Sequence, residues 1–444
     1  MAMTNNKITT MVKKNFIYIA CLAALSGTNA FAQETIYPAV AQKQAVLLTN
    51  ATIHVGNGQV IEHGSIAFAN GKITAIGANA QGAAGAQVID VQGQHIYPGI
   101  IAPASDLGLT EVEAVRSTND YSEVGEINPS VRALVAYNTD SKVINTLRAN
   151  GILLAQTVPE GGLLSGTSSV VQLDAWNWED AAYKADDGQH LYMPQLLPSS
   201  NPFQAAQQTP ARDRVKEALE KIEQLRAFLR EAQAYAQESK HAETNLKFES
   251  LRKLFTKEQK LYIHCNLVKE ILLGIDIAKE FGFEAVIVGG ADSWLVADIL
   301  KQQNIPVILV QPHSLPITQD DDVDQPYKTA AQLQKAGVLF CISNEGFWQQ
   351  RNLMFEAGTA SAYGLSREEA LSAVTLNTAK ILGIDKVTGS LEVGKDANIA
   401  VSAGDILDMK SNKVTHAFIQ GREVNLDNKQ KQLYERYKYK YGLK

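Results

Sequence analysis

Four side chains that can move protons or bind metal ions stand in or just after apolar, strand-like runs. They are Asp106 after PGIIAPAS, His264 in KLYIHC, His313 in VQPHSLP and Glu345 in GVLFCISNEG. Imidazole and carboxylate groups act as general acids and bases, and imidazole is the commonest metal ligand. If the runs are parallel strands, their carboxyl ends meet at one rim, where barrel enzymes carry out their chemistry. The pattern predicts a site at that rim.

Each of these residues also has a structural interpretation. His264 could be a polar barrel residue hydrogen-bonded to a neighbour, and Asp106 could accept backbone N–H groups. Glu345 could pair with Arg351, six residues later. His313 could be an ordinary solvated loop histidine.

Three further predictions concern substrate contacts. His313 and Arg351 are predicted to contact substrate at the rim, as is Ser165 in the stretch EGGLLSGTSS. Successive backbone N–H groups in such a stretch can hold an anionic or carbonyl ligand. The alternative is a plain glycine-rich turn.

Between residues 97 and 385, apolar strand-sized runs alternate with helical segments. The runs are PGIIAPAS, GILLAQTVP, SSVVQLDA, KLYIHC, FEAVIVGG, IPVILV and GVLFCIS. Such alternation indicates parallel strands joined by helical crossovers. These are seven barrel strands; the eighth, fourth in order, has HLYMPQL as its best candidate. On the first strand, residues two apart should face the same side, so Ala104 and Asp106 are both expected to point inward.

The two ends of the mature chain carry matching β patterns, at residues 45–96 and 386–427. The first contains a hairpin signal at Asn70-Gly71 between alternating runs. Neither half has enough strands to bury a core alone. We therefore expect both halves to join in one composite β-sandwich.

Two helical segments lie outside the alternating pattern. Near residues 209–256, Thr209-Pro210 supplies a helix start, and Val215, Leu219, Ile222, Leu225 and Leu229 follow at spacings of three and four. This predicts an amphipathic helix packed on the barrel, with a lid as the alternative. Residues 428–444 predict a docked terminal helix with snorkelling lysines, or a helix that binds an anionic surface.

The first 32 residues read as a secretory signal. Lys13-Lys14 precede an apolar run that is too short for a membrane span, and Ala30-Phe31-Ala32 resembles a cleavage site. We expect export, to the periplasm of a Gram-negative cell, with cleavage after Ala32. Loss of three lysines changes the formal charge from −6 to −9, and an acidic chain without a basic stripe argues against nucleic-acid binding. Of the remaining cysteines, Cys265 and Cys341, we expect no disulfide.

Two longer motifs carry a family resemblance. QVIDVQGQHIYPGI near the start, and ALSAVTLNTAKILGIDKVTGSLEVGKDANIAVSAGDIL followed by VTHAFIQGREV near the end, resemble the amidohydrolase superfamily. The branch with imidazolonepropionase-like and prolidase-like members is the most similar. The resemblance covers essentially the whole mature chain. It implies an α/β fold, a distorted TIM (β/α)8 barrel with a composite β-sandwich, and assembly into homo-oligomers.

The resemblance also implies a metal site, and here the sequence departs from the family pattern. Members usually carry His-x-His on the first strand, histidines at the ends of the fifth and sixth, and an aspartate on the eighth. The corresponding positions hold Ala104 and Asp106, His264, Gly289, and Glu345. The implied site is one divalent ion, Zn, Mn or Fe, held at low affinity by Asp106, His264 and Glu345, with no metal as the alternative.

The predicted function follows from the family and the altered positions. The resemblance implies a metal-dependent hydrolase of C–N bonds in amides or cyclic amides, with an altered metal site, His264 and Glu345 as catalytic residues and a small-molecule substrate. The N-terminal segment predicts that this hydrolase is exported. The alternative is an inactive family member that binds a small ligand or an active paralogue.

Overall fold

The computed structural model describes residues 37–196, 211–238, 240–318 and 320–443. The predicted signal segment, residues 1–32, and the predicted helix start at Thr209-Pro210 lie outside the described residues. The described part of residues 38–444 contains two eight-stranded sheets.

The first sheet is built from both ends of the chain. Its strands are β1 Val46–His54, β2 Val60–Ala69, β3 Lys72–Gly77, β4 Gln87–Asp90, β5 His95–Pro98, β14 Ile399–Ser402, β15 Val414–Ile419 and β16 Arg422–Glu423. The strand order is β16-β15-β14-β5-β1-β2-β3, with β4 beside β1. β14 pairs antiparallel with β5, so the two terminal segments share one hydrogen-bonded sheet.

Local chemistry explains how this sheet forms. Asn70 (φ 51°) and Gly71 (φ 78°) make the turn between β2 and β3, as Asn-Gly favours in a tight hairpin. The core of the sheet draws on both halves, because Phe68 packs edge-on against Phe418 with ring centroids 5.0 Å apart. Both rings are fully buried. Each half therefore covers the apolar face of the other.

The second sheet is a nearly closed barrel. Its strands are β6 Ile100–Ser105, β7 Ile152–Thr157, β8 Leu164–Gln172, β9 Ala182–Tyr192, β10 Lys260–Cys265, β11 Ala285–Gly289, β12 Val307–Val310 and β13 Phe340–Ser343. The Ser343 hydroxyl donates to the Pro103 carbonyl at 2.5 Å, which joins the last strand to the first. The predicted fold class, a distorted TIM barrel with a small composite β-sandwich formed by the chain ends, is confirmed, and the strands of both ends form one hydrogen-bonded sheet.

The barrel departs from the all-parallel expectation at its third strand. β8 runs antiparallel to both β7 and β9, whereas the other neighbours are parallel. The loop from β7 to β8 has six residues, 158–163, and a parallel crossover needs a dozen or more. The fourth strand is β9, which contains the HLY of the best candidate but begins eight residues earlier, at Ala182.

Helices surround the barrel and cover its outer face. They are α1 Ala133–Ala136, α2 Lys142–Ala149, α3 Trp178–Ala181, α4 Ala211–Gln237, α5 Leu246–Glu249, α6 Arg252–Phe255, α7 Val268–Phe281, α8 Ala297–Gln302, α9 Gln325–Ala336, α10 Gly346–Gln349, α11 Leu353–Ala362, α12 Arg367–Ser372, α13 Leu376–Leu382 and α14 Lys429–Tyr441. Among the helices of the described ranges, none is both long enough and apolar enough to cross a membrane.

The long inserted helix α4 packs on the barrel layer. Ile222, Leu225 and Leu229 are buried in the main core, whereas Val215 and Leu219 near its start are exposed. Arg226 pairs with Asp276 and Glu280 on α7. These contacts match the expectation of a packed amphipathic helix.

The terminal helix α14 is more exposed than the sequence predicts. Asn428 caps its start by accepting from the Lys431 N–H at 2.9 Å. Its first turn touches α2, where Thr146 donates to Gln430 at 3.0 Å. Tyr437 and Tyr441 lie in solvent, so the helix is not docked along its whole length.

The two cysteines lie in different parts of the core. Cys341 belongs to the cluster inside the barrel, and Cys265 to the cluster between strands and helices. Both are free thiols, as expected from their positions on non-neighbouring strands.

A buried ion cluster links the barrel layer to the terminal sheet. Asp174, which is fully buried, pairs with Arg148 on α2 and with Arg422 on β16, the latter at 3.0 Å. It also accepts the Ala39 N–H at 2.9 Å. One carboxylate therefore connects three distant parts of the chain.

Candidate functional site at the barrel mouth

The predicted site residues lie at the carboxyl ends of the barrel strands. His264 is the penultimate residue of β10 and is partly exposed, while Asp106 directly follows β6 and is buried. Glu345 follows β13 by two residues and is exposed. The barrel topology thus brings residues from distant strands to one mouth.

The first strand does not keep the predicted alternation. The pairing of β6 with β7 shifts register between Ala102 and Ser105, and Ala104 has a φ of 50°. The Ala104 N–H donates to Gln156 Oε1 at 3.0 Å instead of joining the ladder. The positions of Ala104 and Asp106 therefore follow from a bulge and not from a simple period of two.

His264 is held between two aromatic neighbours. Its Nε2 lies 2.8 Å from Nδ1 of His190, and its ring stacks on Tyr192 with centroids 3.9 Å apart. Burial lowers the pKa of His264 to about 3. Burial, and secondarily His264, also lowers the pKa of His190. Both imidazoles are neutral at pH 7, so one ring donates and the other accepts.

A polar column continues below this pair into the barrel. The His190 ring, fully buried, stacks on Tyr262 with centroids 4.8 Å apart. The Tyr262 hydroxyl donates to Asp187 at 2.8 Å, and Ser168 and Gln156 donate to the same carboxylate at 2.6 and 3.0 Å. This network fixes the Tyr262 ring on which His190 stacks, whereas His190 Nε2 is buried without a hydrogen-bond partner among the described residues.

Three carboxyl groups at the mouth interact electrostatically. Burial raises the pKa of Glu160 to about 7, and the nearby charges of Asp106 and Glu345 add to the effect. Burial also raises the pKa of Asp106, whose Oδ1 has no hydrogen-bond partner among the described residues. Burial, followed by Glu160 and Asp106, raises the pKa of Tyr192. Glu160 is therefore coupled electrostatically to Asp106 and Glu345, and Tyr192 to Glu160 and Asp106.

The sequence analysis missed Glu160, His190 and Tyr192. Glu160 is the first residue of EGGLLSGTSS, which was interpreted through its glycines, although a carboxylate directly after a barrel strand was the available signal. His190 and Tyr192 fall in HLYMPQL, whose strand was not firmly placed. Their inward position depends on the register of β9 against β10, where Tyr192 faces His264.

The three predicted substrate-binding side chains all have protein partners. His313 Nε2 contacts the Thr359 hydroxyl at 2.6 Å, and Ser165 donates to the Gly161 carbonyl at 2.5 Å. Arg351 donates to the Trp348 carbonyl at 2.6 Å and lies over its ring. Arg351 is therefore not paired with Glu345. Contact of these three side chains with substrate stays a prediction.

A second buried carboxyl, Glu356 on α11, lies next to the mouth. It accepts the His313 N–H at 2.7 Å and the Asn344 amide at 2.9 Å. Burial raises its pKa to about 7, although these hydrogen bonds oppose the shift. Because the pKa of Glu356 is higher in the folded than in the unfolded state, protonation of this carboxyl favours folding. This contribution to the free energy of unfolding is fully present below the unfolded-state pKa, and it is lost as pH rises through 7.

We therefore expect Glu356→Gln to raise the free energy of unfolding at pH 8 by about 1–3 kcal/mol, because glutamine carries no charge to bury. The gain should shrink as pH falls from 7 toward 4.5. Urea unfolding across this pH range measures it. The exposed Glu231→Gln is the matched control. A gain independent of pH would contradict the assignment.

Comparison with known proteins identifies the family. Residues 162–424 match the amidohydrolase family model. This chain belongs to the amidohydrolase family. The crystal structure of an amidohydrolase from Thermotoga maritima is similar, with 26% identity and a TM-score of 0.74, over 86% of this chain and 99% of that one.

Two other relatives show how far the similarity extends. Imidazolonepropionase of Picrophilus torridus is 29% identical over 184 residues, 38% of this chain and 43% of that protein. The match thus spans less than half of that curated relative. A zinc-bound adenosine deaminase from Xanthomonas campestris shares the fold, with a TM-score of 0.53 over 90% of this chain and 99% of the deaminase, at 14% identity.

The amidohydrolase family generally uses a divalent metal ion. Whether this mouth can bind one depends on the donor side chains that it presents. In the described ranges no group of three or more His, Cys, Asp or Glu side chains is arranged to hold one. Ala104 and Gly289 offer no side-chain donor, and His264 Nε2 is engaged by His190. As placed, Asp106, His264 and Glu345 do not form such a group, and metal binding by this ligand set stays a prediction.

We expect purified protein to contain substoichiometric Zn, Mn or Fe, because a donor set with one histidine and two carboxylates binds these ions weakly. Metal analysis by mass spectrometry measures the content, with His264→Ala compared in parallel. Full zinc occupancy that survives His264→Ala would show that the metal lies elsewhere.

Proposed function

We propose that this amidohydrolase-family chain is an exported hydrolase of carbon–nitrogen bonds in amides or cyclic amides, acting at the barrel mouth. The observation that carries the proposal is the partly buried carboxyl of Glu160, which is coupled to Asp106 and Glu345 at the barrel end where Tyr192 stacks on His264. The family membership supports hydrolysis, and the imidazolonepropionase relative supports a carbon–nitrogen substrate.

The side chains of the mouth suit proton transfer to and from a scissile amide. A carboxyl whose pKa lies near the working pH can both accept and donate a proton, and burial with two carboxylate neighbours places Glu160 there, with a pKa of about 7. In its ionised form Glu160 takes a proton from the attacking water, and it then returns that proton to the leaving nitrogen. In this proposal His264, which is neutral and contacts His190, hydrogen-bonds the substrate carbonyl or the water.

Two positions of the mouth differ from the family pattern in a way that agrees with this assignment. Ala104 and Gly289, where the family usually has metal-binding histidines, offer no side-chain donor and are partly exposed. A Cβ added at Gly289 would lie 2.5 Å from Asn266 Oδ1, so a histidine does not fit there without a rearrangement. The proposed proton transfers therefore rest on the carboxyl and imidazole groups that are present.

The test is amine release from a panel of small amides, cyclic amides and dipeptides. We expect turnover of at least one member by wild-type protein in the presence of a chelator, because no proposed step requires a metal. Loss of all turnover with the chelator would overturn that metal-free step.

A second candidate function is a catalytically inactive protein that binds a small ligand or an active paralogue. It is favoured by the lack of a metal-binding group in the described ranges. This candidate predicts ligand binding at the mouth with no turnover of any panel member under any added ion. Homo-oligomer formation is compatible with both functions, and size-exclusion chromatography with light scattering measures it.

Export is expected to remove residues 1–32. When the full chain is expressed in a Gram-negative host, the protein should appear in the periplasmic fraction with Gln33 as its first residue, because Ala30-Phe31-Ala32 is a small-residue cleavage site. N-terminal sequencing of that fraction measures it. Ala32→Arg should block cleavage, and cytoplasmic protein beginning at Met1 would contradict export.

A further inference from the structure

A cavity of about 700 Å³ lies at the end of the barrel opposite the mouth. Lys260, Ala285, Pro306 and Leu339 line it, and each stands at or just before the start of β10, β11, β12 or β13. These strands have four to six residues, so roughly 13–20 Å separates the cavity from the mouth. The volume lies within the range of small-molecule sites.

The cavity combines an apolar wall with clustered ammonium groups. Its apolar lining includes Ile275, Phe283, Leu300, Ile305 and Val338. Four lysines, Lys260, Lys279, Lys301 and Lys380, line it against one carboxylate, Glu284. Across the described ranges, no ion pair within 4.0 Å involves any of these lysines. The cavity therefore offers positive charge next to an apolar surface.

The negative ends of three helices offset part of the positive charge of the lysines, but not all of it. Lys279, Lys301 and Lys380 lie in the last turns of α7, α8 and α13, where each helix end carries about half a negative charge. Three such ends and Glu284 offset about 2.5 of the four positive charges. A net charge of about +1.5 remains at the cavity.

The ammonium group of Lys260 lies close to a second positive charge, that of Lys184. Its Nζ donates to the Ile381 carbonyl at 2.6 Å, and Nζ of Lys184 donates to the next carbonyl, Leu382, at 2.6 Å. Burial lowers the pKa of Lys260, and the charge of Lys184 lowers it further, while the carboxylates of Glu284, Asp187 and Asp385 oppose the shift. An anion bound in the cavity would relieve this repulsion.

We propose that this cavity binds a small amphiphilic anion, with a carboxylate or phosphate-ester head among the lysines and an apolar body against Phe283, Ile305 and Val338. Nothing in the proposed hydrolysis uses these residues. Charge complementarity and apolar burial together select this class over cations and over neutral amphiphiles of the same length.

The test is isothermal titration calorimetry of the full-length protein with decanoate, decyl phosphate, decanol and decylamine. We expect either anionic amphiphile to bind at least about tenfold more tightly than decanol and decylamine, and the tighter of the two identifies the head group. Decanol or decylamine binding equally well would overturn the proposal. Inorganic phosphate binding as tightly as decyl phosphate would overturn the role of the apolar wall.

Variants locate the binding to the cavity. Lys279→Ala/Lys301→Ala removes two exposed ammonium groups and should weaken anion binding about tenfold, whereas Lys142→Ala/Lys410→Ala, elsewhere on the surface, should leave it unchanged. Gln303→Trp, which fills the cavity edge without changing charge, should also weaken binding. Wild-type affinity in both cavity variants would overturn the site.

Discussion

Glu160→Gln is expected to lower amine release by about 10²- to 10⁴-fold, the usual contribution of a positioned general acid–base group. Glutamine keeps the shape of the side chain but cannot take up or return a proton. The carboxyl is only partly exposed, and Asp106 and Glu345 act on its charge. The substitution should therefore lower kcat and leave the fold intact.

Two further variants make this expectation specific. Glu123→Gln, an exposed glutamate in the loop after β6, is the matched control and should keep wild-type turnover. Asp106→Asn removes one negative charge beside Glu160, so the pH midpoint of activity should move below 7. A midpoint unchanged in Asp106→Asn would contradict the coupling between the two carboxyls.

Asp174→Ala is expected to lower the free energy of unfolding by about 3–5 kcal/mol, because it leaves buried Arg148 without its partner. Arg422 and the Ala39 N–H lose the same acceptor. Urea denaturation measures the change. Asp174→Asn, which keeps an acceptor but no charge, should fall between wild type and Asp174→Ala.

The control for this expectation is Asp140→Ala, an exposed aspartate two residues before α2. It should change stability by less than about 0.5 kcal/mol. If Asp174→Ala proved equally mild, the buried cluster would not hold the terminal sheet to the barrel layer.

Much of the fold could be predicted because its signals are local. Alternating runs at both ends and the Asn70-Gly71 turn predict a shared sheet, and apolar runs separated by helices predict the barrel. The antiparallel β8 was missed although the short loop after β7 excludes a parallel crossover. β9 was misplaced at its start because ADDG, near its middle, is not a typical strand sequence, and Asp187 is accommodated there by three hydrogen-bond donors.

The site was less predictable because its geometry depends on contacts between distant strands. Asp106, His264 and Glu345 could be placed at the rim from their positions after strands. The pairing of His264 with His190 requires the register of β9 against β10, and the raised pKa of Glu160 requires burial beside Asp106 and Glu345. Neither property is a local feature of the sequence, and the bulge at Ala104 is likewise set by its bond to Gln156.

The most direct test is the pH dependence of kcat/KM for amine release, measured on the best panel substrate with wild type and Glu160→Gln. For wild type the rate should rise with pH through a midpoint near 7, because the ionised carboxyl accepts the proton from water. In Glu160→Gln the rise of kcat/KM with pH should be absent, and the remaining kcat/KM should be low. Identical profiles in the two proteins, or no release from any substrate by wild type, would contradict hydrolysis at this mouth.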